Sequence, residues 1–369
     1  MSGTSLDGMD AVVATFEDNQ DAVLPRVLAH AKRGFPAALR TELLALNWSG
    51  ANEIHRGALA ANALAREYAA AVETFLEQAS IERSKVVAIG CHGQTVRHRP
   101  REFDGIGYTV QLNAPALLAE LTDIDVIADF RSRDIAAGGQ GAPLVPAFHR
   151  ALLSSPKAAV AVLNLGGIAN LTVLDRDGGA TGFDCGPANA LLDFWCAAST
   201  GHAFDADGAW AASGTVDTRL LDALLDEPYF ALAPPKSTGR DLFHGEWLEA
   251  RLLASDARRR LRAEDVQATL AELTAEVCAR ALRAHGASTG EVIVCGGGAF
   301  NANLIARLRR AALPTPVVSS DARGLAPDQV EATAFAWLAR AFVKRLPGNI
   351  AAATGAAGPR ILGALYPAG

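Results

Sequence analysis

The sequence predicts an α/β protein of two lobes, each a mixed sheet flanked by helices, with a ligand cleft between the lobes. Three glycine-rich loops support this prediction, because they are spread over the whole chain and lie beside apolar runs that suit strands. They occupy residues 2–8, 164–170 and 295–301. A Rossmann or P-loop protein has one G-x-G-x-x-G or G-x-x-x-x-G-K-S/T loop instead, and neither pattern follows the first strand here.

Size and composition bound the possible functions. At 369 residues the chain is long enough for two domains, and a net charge of −6 argues against a nucleic-acid-binding protein. The 5 cysteines show neither C-x-x-C pairs nor zinc spacing, which indicates reduced thiols in the cytoplasm. No uncharged apolar stretch reaches the ~20 residues of a membrane helix, and no signal-peptide pattern is visible. We therefore expect no membrane and no nucleic-acid partner.

The first lobe is predicted at residues 1–130 and 345–369. Strands are predicted at 11–16, 27–31, 86–90, 108–112 and 125–129, and helices at 37–47, 51–78 and 115–121. The strand over 27–31 is expected to pair antiparallel with the strand over 11–16. No strand precedes the first loop, which begins at Met1, so we expect a natural start upstream with a short β-branched apolar segment.

The second lobe is predicted at residues 131–344. A hairpin over 160–173 surrounds the second glycine loop, and a strand over 292–295 leads into the third loop and then a helix. Further helices are predicted over 184–198, through most of 215–286 with a break near 234–240, and over 332–346. The glycine- and proline-rich tail from Pro347 is expected to return to the first lobe.

The first loop has the composition of a phosphate-binding loop with a carboxylate inside it. Gly3 and Gly8 allow positive φ and close backbone approach. A phosphate can be surrounded by backbone N–H groups together with the hydroxyls of Ser2, Thr4 and Ser5. Asp7 repels phosphate but suits Mg²⁺, bound directly or through a water molecule. For this loop alone, a flexible terminus is the alternative.

Asp184 is the first candidate for a catalytic base. It follows a strand predicted over 181–183, and Gly186 and Pro187 come shortly after it. A carboxylate at such a turn is suited to point into a cleft and accept a proton. The alternative is the N-cap of a helix that starts there, a position that Asp fills well. Asn170, in the second loop, favours the functional interpretation.

Three further residues have a functional and a structural interpretation. His92 follows a buried strand, where α/β proteins bind ligands, yet a buried core histidine is equally plausible. Arg131 follows the strand over 125–129 and suits a carboxylate ligand, whereas an ion pair with Asp129 or Asp134 is the alternative. Glu331 opens the last long helix, where an acid in the first turn is favourable by itself.

The spacing of the three loops resembles the superfamily of acetate kinase, sugar kinases and actin-like ATPases, in which the active site lies in the cleft between lobes. Longer motifs resemble one family in particular. Residues 2–10 (SGTSLDGMD) look like the signature start of the anhydro-N-acetylmuramic acid kinases. HGQTVRH at 92–98, ADFR at 128–131 and FDCGPAN at 183–189 follow in the family's order. With further matches up to residue 367, the resemblance covers essentially the whole chain.

This resemblance implies an ATP-dependent kinase that hydrolytically opens 1,6-anhydro-N-acetylmuramic acid and phosphorylates O6, giving N-acetylmuramic acid 6-phosphate and ADP in cell-wall recycling. It implies Asp184 as the base, ATP and Mg²⁺ as cofactors, and a homodimer. The residues implied to bind ATP are Ser2, Gly3, Thr4, Ser5, Leu6, Asp7, Gly8, Met9, Asn164, Gly166, Gly167, Asn170, Gly296, Gly297, Gly298 and Asn301. Those implied to bind the sugar are His92, Gln94, Arg131, Gln140 and Glu331.

Some positions depart from the family pattern, and two other functions stay open. Ala188 replaces a usual glycine after the base, Phe300 replaces a usual histidine, and Asn113-Ala114 replaces a usual Gly-Asp. One alternative is another sugar or acetate-type kinase. The other is a non-catalytic nucleotide-binding regulator or an actin-like ATPase, against which the carboxylate of Asp184 argues.

Overall fold

The computed structural model describes residues 1–2, 8–18, 23–155, 158–239 and 242–369. The strands are β1 (Gly8–Asp18), β2 (Val23–Gly34), β3 (Ile89–Gly90), β4 (Gln94–Pro100), β5 (Gly107–Leu112), β6 (Val126–Ala128), β7 (Ala159–Leu165), β8 (Ile168–Leu174), β9 (Ala180–Pro187), β10 (Thr289–Cys295), β11 (Val317–Ser319) and β12 (Ala364–Tyr366). The α-helices are α1 (Ala37–Ala45), α2 (Glu53–Gln78), α3 (Pro115–Thr122), α4 (Ser132–Ala136), α5 (Val145–Leu153), α6 (Asn189–Thr200), α7 (Ala209–Ser213), α8 (Thr218–Leu225), α9 (Gly245–Ala254), α10 (Ala257–Arg260), α11 (Ala263–His285), α12 (Ala302–Ala311), α13 (Val330–Val343) and α14 (Ala351–Thr354). In the described ranges, no helix combines the length and the apolar character needed to cross a membrane.

The chain forms two compact units, and the first consists of Met1–Leu152 with Gln329–Gly369. In this unit β1 pairs antiparallel with β2, as predicted, and β4 pairs antiparallel with β5. A mixed sheet has β6 between β3, which is parallel to it, and β12, which is antiparallel. Because β12 comes from the end of the chain, the tail returns to the first unit, as predicted. Apolar residues of α1, α2 and α3 share one buried core with Met9 and Val126.

Two parts of the first unit differ from the prediction. The strand expected over 86–90 is reduced to Ile89–Gly90, because a 3-10 turn at Arg83–Lys85 precedes it and Val87 is 76% exposed instead of buried. Strand β4 was not predicted, since its sequence QTVRHRP has the polarity of a loop. Its extended form depends on pairing with β5, which local pattern does not reveal.

The second unit, Leu153–Asp328, is built on one mixed sheet whose described strands lie in the order β11-β10-β7-β8-β9. β10 is parallel to β11 and β7, whereas β8 is antiparallel to β7 and β9. The predicted hairpin over 160–173 is therefore confirmed as β7 and β8. β7 is buried along its whole length, and apolar residues of helices such as α6, α8, α9, α11 and α12 join it in one core.

The boundaries of the compact units differ from the predicted lobe boundaries. Residues 131–152 and 329–344, placed in the second lobe from the sequence, belong to the first unit. The reason lies in their packing: α13 contacts β1, β3 and β6, and α4 contacts β5. These contacts join parts of the chain that are far apart in sequence, so the sequence pattern could not show them.

Asp134 is a buried polar centre that joins the early and late parts of the first unit. One carboxylate oxygen accepts hydrogen bonds from Asn349 Nδ2 at 2.6 Å and Thr354 Oγ1 at 2.8 Å. The other oxygen accepts from the backbone N–H of Gly141 at 2.8 Å. Gly139 packs against the same group, because a Cβ there would lie 2.1 Å from Asp134 Oδ2. The carboxylate therefore fixes the glycine-rich loop and the tail together.

Replacing Asp134 with alanine is expected to lower the free energy of unfolding by about 3 kcal/mol or more. Three buried donors would lose their acceptor, and each unsatisfied donor costs ~1–3 kcal/mol. Urea unfolding followed by circular dichroism measures the change. Glu120→Ala, at an exposed position of α3, is the control and should change stability by less than about 0.5 kcal/mol. Equal stability of the two variants would contradict a structural role for Asp134.

Candidate active site

Asn164, Asn170 and Asp184 lie side by side on three neighbouring strands of the second unit. Asn164 is opposite Asn170 in the ladder of β7 and β8, and Asn170 is opposite Asp184 in the ladder of β8 and β9. Directly opposed residues point to the same face, with Cα atoms about 4.5–5.5 Å apart. The register therefore groups one carboxylate and two amides beside the second glycine loop.

Asp184 lies inside a strand, so the predicted helix start and its N-cap alternative are wrong. β9 continues past Asp184 because its pairing with β8 extends to Pro187, opposite Ile168. Helix α6 begins only at Asn189, and the residue before it is Ala188. The carboxylate is therefore a strand side chain on the face shared with Asn170.

Contacts from one loop segment and one tyrosine fix Asp184. The hydroxyl of Tyr229 donates to the Asp184 carbonyl at 2.9 Å, and the Asp184 N–H donates to the Lys236 carbonyl at 3.2 Å. The backbone N–H of Thr238 donates to the carboxylate oxygen Oδ2 at 3.0 Å. The segment 236–238 thus runs along β9, which is the last strand of the described sheet. Backbone groups therefore hold both the main chain and the carboxylate in place.

The second glycine loop is held against the start of α6. The Gly166 carbonyl accepts from the Asn189 N–H at 3.0 Å, and the Gly167 carbonyl accepts from Ala188 and Ala190 N–H groups, both at 3.0 Å. The carbonyl and N–H of one trans peptide point in opposite directions. The N–H of Gly167, which shares a peptide with the Gly166 carbonyl, therefore points away from α6 and is suited to donate to an anion.

The third glycine loop packs directly on the second. Cys295 is opposite Asn164 in the parallel ladder of β10 and β7, so the third loop leaves the sheet beside the polar row. Gly296 has a φ of +81°, and a Cβ on it would lie 2.2 Å from Asn164 Oδ1. A Cβ on Gly298 would lie 2.7 Å from Leu165 Cβ. The structure therefore brings two of the three predicted loops together, and glycine is required for this contact.

The side chain of Asn301 has a structural role. Its Oδ1 accepts from the Leu304 N–H at 2.9 Å, which is an N-cap contact for α12. A Cβ on Gly208 would lie 2.1 Å from the same oxygen, and the Asp207 carboxylate accepts from the Ala302 N–H at 3.1 Å. The Asp207-Gly208 turn and Asn301 together fix the start of this helix, so the sequence-predicted contact of Asn301 with nucleotide stays a prediction.

Most of the first glycine loop lies outside the described residues. The binding of ATP by Gly3, Thr4, Ser5, Leu6 and Asp7 therefore stays a prediction. Ser2 is buried, and its hydroxyl donates to the Gly93 carbonyl at 3.1 Å. The hydroxyl of Tyr68, on α2, lies 2.9 Å from Ser2 Oγ. Because a serine hydroxyl has one proton, Tyr68 is the donor in this second bond. The Ser2 side chain is thus bound to the core of the first unit by two hydrogen bonds.

Gly8 and Met9 begin β1 and contact the rest of the first unit closely. A Cβ on Gly8 would lie 2.3 Å from the Arg33 carbonyl oxygen, so glycine is required for the pairing with β2. The side chain of Met9 is buried in the core. Met9 can therefore meet a ligand only through its backbone.

His92 and Arg131, two residues predicted to bind the sugar, contact each other in the first unit. Arg131 Nε donates to His92 Nε2 at 3.0 Å, and Arg131 Nη1 donates to the Gly141 carbonyl at 2.6 Å. His92 Nδ1 lies 2.8 Å from the Gly93 carbonyl oxygen, so Nδ1 carries the ring proton. Burial, reinforced by the Arg131 cation, lowers the pKa of His92 well below its ordinary value. His92 is therefore a neutral, buried histidine that positions Arg131.

The other predicted sugar-binding residues also lie in the first unit. Gln94 is buried at the start of β4, next to the His92-Gly93 pair. The Gln140 N–H donates to the Thr354 carbonyl at 2.8 Å, which places this residue on the loop fixed by Asp134. Glu331 lies in the first turn of α13, as predicted. Burial lowers the pKa of the Met1 amino group, and Glu331 is one of the acids whose charge opposes this shift.

The sequence did not predict the residues that hold Asp184 and Ser2 in place. The break predicted near 234–240, which contains the pair Pro234-Pro235, is the available signal for Lys236 and Thr238. Nothing marked Tyr68 or Tyr229, because each hydroxyl meets a residue far away along the chain. Such contacts leave no local pattern in a single sequence.

Comparisons with known proteins point to one family. The family model described as anhydro-N-acetylmuramic acid kinase matches residues 1–368. A protein of that name from Cupriavidus pinatubonensis is 59% identical over 368 residues, covering 100% of this chain and 97% of the relative. One from Albidiferax ferrireducens is 56% identical over 388 residues, covering 100% of this chain and 98% of the relative.

Among solved structures, one similar chain is the activator of a 2-hydroxyisocaproyl-CoA dehydratase from Clostridium difficile with bound ADPNP. It is 13% identical, covers 93% of this chain and 99% of its own, and has a TM-score of 0.43.

Lowering the pH is expected to destabilise the protein partly through His92. The ordinary histidine pKa of 6.5 applies to the unfolded chain, whereas the folded pKa lies well below it, so below 6.5 only the unfolded chain takes up this proton. The free energy of unfolding then falls by up to about 1.4 kcal/mol per pH unit from this one group. Urea unfolding between about pH 6 and pH 5 should show that the free energy of unfolding falls less steeply with pH in His92→Gln than in the wild type. His202→Gln, at an exposed histidine, is the control, and equal slopes for all three proteins would contradict the assignment.

Proposed function

The chain belongs to the anhydro-N-acetylmuramic acid kinase family, and from this premise we propose how its residues perform the reaction. It is an ATP-dependent kinase that opens 1,6-anhydro-N-acetylmuramic acid by hydrolysis and phosphorylates O6, giving N-acetylmuramic acid 6-phosphate and ADP in cell-wall recycling. The observation that carries the proposal is the row of Asn164, Asn170 and Asp184 beside two glycine loops.

Asp184 is the general base in this proposal. A water oxygen attacks the anomeric carbon C1 while a proton of that water passes to the Asp184 carboxylate. The bond between C1 and the bridging oxygen breaks, and this oxygen is O6 of the product. O6 takes the γ-phosphoryl group as the bond to the β-phosphate oxygen breaks and ADP leaves. A positioned base contributes ~10²–10⁴-fold to such a step.

The surroundings of Asp184 suit this role. The Thr238 N–H holds Oδ2, so backbone geometry sets the orientation of the carboxylate. Asn170 lies opposite on the same face, and its amide can donate to or accept from the same water molecule. A base held by the main chain loses little conformational freedom when the substrate binds, which favours a well-defined attack geometry.

The glycine loops are proposed to bind the nucleotide. The N–H of Gly167 and the compact turn at Gly296–Gly298 let backbone donors approach phosphate closely, beside the amides of Asn164 and Asn170. The first loop, residues 2–9, is proposed to contribute further backbone donors.

Mg²⁺ is proposed to accompany ATP. Among the described residues, no group of three or more His, Cys, Asp or Glu side chains could hold a metal ion. This fits an ion held mainly by phosphates and waters, which is usual for Mg²⁺ with nucleotides. Asp7 is the proposed protein ligand, directly or through water, and lies outside the described residues. When bound, the ion would offset the charge of the phosphates.

Arg131 is proposed to bind the carboxylate of the muramic acid. His92 and the Gly141 carbonyl hold two nitrogens of its guanidinium, so the plane of the group is fixed before a ligand binds. A fixed guanidinium matches the planar geometry of a carboxylate. Gln94, Gln140 and Glu331 are proposed as further contacts with the sugar.

A cytoplasmic homodimer is proposed as the working form. Buried, free cysteines, namely Cys91, Cys185, Cys196, Cys278 and Cys295, suit a reducing compartment. Trp48 and Ile54, near each other in sequence, are 74% and 92% exposed, which favours an apolar contact with a second copy. Analytical ultracentrifugation at micromolar concentration tests the dimer, and a monomer would contradict it.

Asp184→Asn is expected to lower kcat by about 10²-fold or more while ATP still binds. The amide keeps the size of the carboxylate but cannot accept the proton of water at neutral pH. Coupled assays of ADP release give kcat, and calorimetry gives ATP affinity. Asp175→Asn, at an exposed turn of the same unit, is the matched control and should behave like the wild type. Near-normal kcat in Asp184→Asn would exclude the carboxylate as the base.

A further inference from the structure

A separate cavity lies behind the strand that carries Asp184. Phe183 directly precedes Asp184 on β9, so its side chain points to the face opposite to Asp184. Cys185 follows Asp184 at an irregularity of the ladder with β8. Both line a cavity of about 400 Å³, which Phe230 and Val277 also border. This volume falls within the ~300–1,000 Å³ that small organic ligands occupy. Nothing in the proposed reaction uses this face of the strand.

Lys236 gives the cavity a cationic group. Its ammonium donates to the carbonyls of Tyr229 at 3.2 Å and Phe230 at 3.3 Å. It also lies 4.7 Å from the centre of the Tyr229 ring and 6.0 Å from that of Phe183. An ammonium has three N–H donors, so one remains after these two hydrogen bonds. Burial lowers the pKa of Lys236, whereas the acids Cys185 and Asp184 oppose this shift.

The other charged groups at the cavity are largely engaged elsewhere. Glu227 accepts from Arg251 at 2.9 Å, and Arg280 donates to Glu276 at 2.8 Å. Asp226 is exposed at the border. His285 packs edge-on against Phe183, and partial desolvation together with the Lys236 charge lowers its pKa, so its ring is neutral at pH 7. Lys236 is therefore the main group at the cavity that would attract an anionic ligand.

We propose that this cavity binds a small aromatic carboxylate. The acidic group meets Lys236, and the ring packs against Phe183 and Phe230. Phe230 stacks on the buried Phe243 with ring centres 5.6 Å apart, so this wall of the cavity is held in place by packing behind it.

An occupied cavity would also act on the proposed base. The carbonyl of Lys236 accepts from the Asp184 N–H, and Thr238 two residues later holds the Asp184 carboxylate. A ligand that pulls on the Lys236 side chain therefore displaces the segment that orients Asp184. This coupling rests on the proposed function, whereas binding to the cavity does not.

Calorimetry on the full-length protein with naphthoate and the neutral naphthalenemethanol tests the site. Naphthoate is expected to bind about 10-fold more tightly than the neutral probe, as a charge-assisted hydrogen bond predicts. Lys236→Met should remove this difference. Ala284→Trp, at an exposed position that lines the cavity, should abolish binding of both probes with unchanged melting temperature and unchanged kcat without probe. Ala198→Trp, on the exposed face of α6, is the matched control and should bind both probes normally.

Equal affinity for the two probes, or normal naphthoate binding by Ala284→Trp, would overturn the proposal. Naphthoate should change kcat in the wild type and leave it unchanged in Ala284→Trp. Binding without any change of kcat would overturn the coupling to Asp184. Since calorimetry measures binding without turnover, the result for the site is independent of whether Asp184 is the base.

Discussion

The register of β10, β7, β8 and β9 is the constraint on which the candidate site depends. Cys295, Asn164, Asn170 and Asp184 lie opposite one another across these four strands. A slip of one residue in any ladder would turn the affected side chain to the other face of the sheet. The buried apolar residues of β7, which pack on both faces, oppose such a slip. The packing that fixes the register of the sheet therefore also fixes the position of the proposed base.

Close backbone contacts convert this register into a site. Gly296 and Gly298 bring the third loop onto Asn164 and Leu165, where any side chain would collide. In the first unit, the Gly93 carbonyl plays a similar part, since it accepts hydrogen bonds from both Ser2 and His92. Through these bonds the start of the phosphate loop and the arginine proposed to bind the sugar share one fixed point.

The sequence predicted the fold class and the elements that rest on local pattern. The α/β class is confirmed, as are the hairpin around the second glycine loop, the antiparallel pairing of β1 and β2, and the return of the tail. These succeeded because apolar runs and glycine turns are local signals. Family membership was predicted from long motifs such as residues 2–10 and 183–189, and it is confirmed over residues 1–368.

Other features could not be predicted, for physical reasons that differ from case to case. The glycine and proline that follow Asp184 predict a helix start, yet pairing with β8 extends the strand through both residues to Pro187. The boundary of the first unit differs from the predicted lobe boundary because α13 packs on strands more than 200 residues earlier in the chain. The contacts of Tyr229 and Thr238 with Asp184 are tertiary and have no sequence signature.

The most direct test of the central claim is to follow the water oxygen during turnover. The enzyme is given ATP, Mg²⁺ and the anhydro sugar in ¹⁸O-water, and the products are analysed early, before the anomeric hydroxyl exchanges with solvent. Activation of water for attack on the sugar predicts ¹⁸O at C1 of the sugar phosphate and none in its phosphate group. Appearance of ¹⁸O in released inorganic phosphate, with the anhydro ring intact, would contradict it.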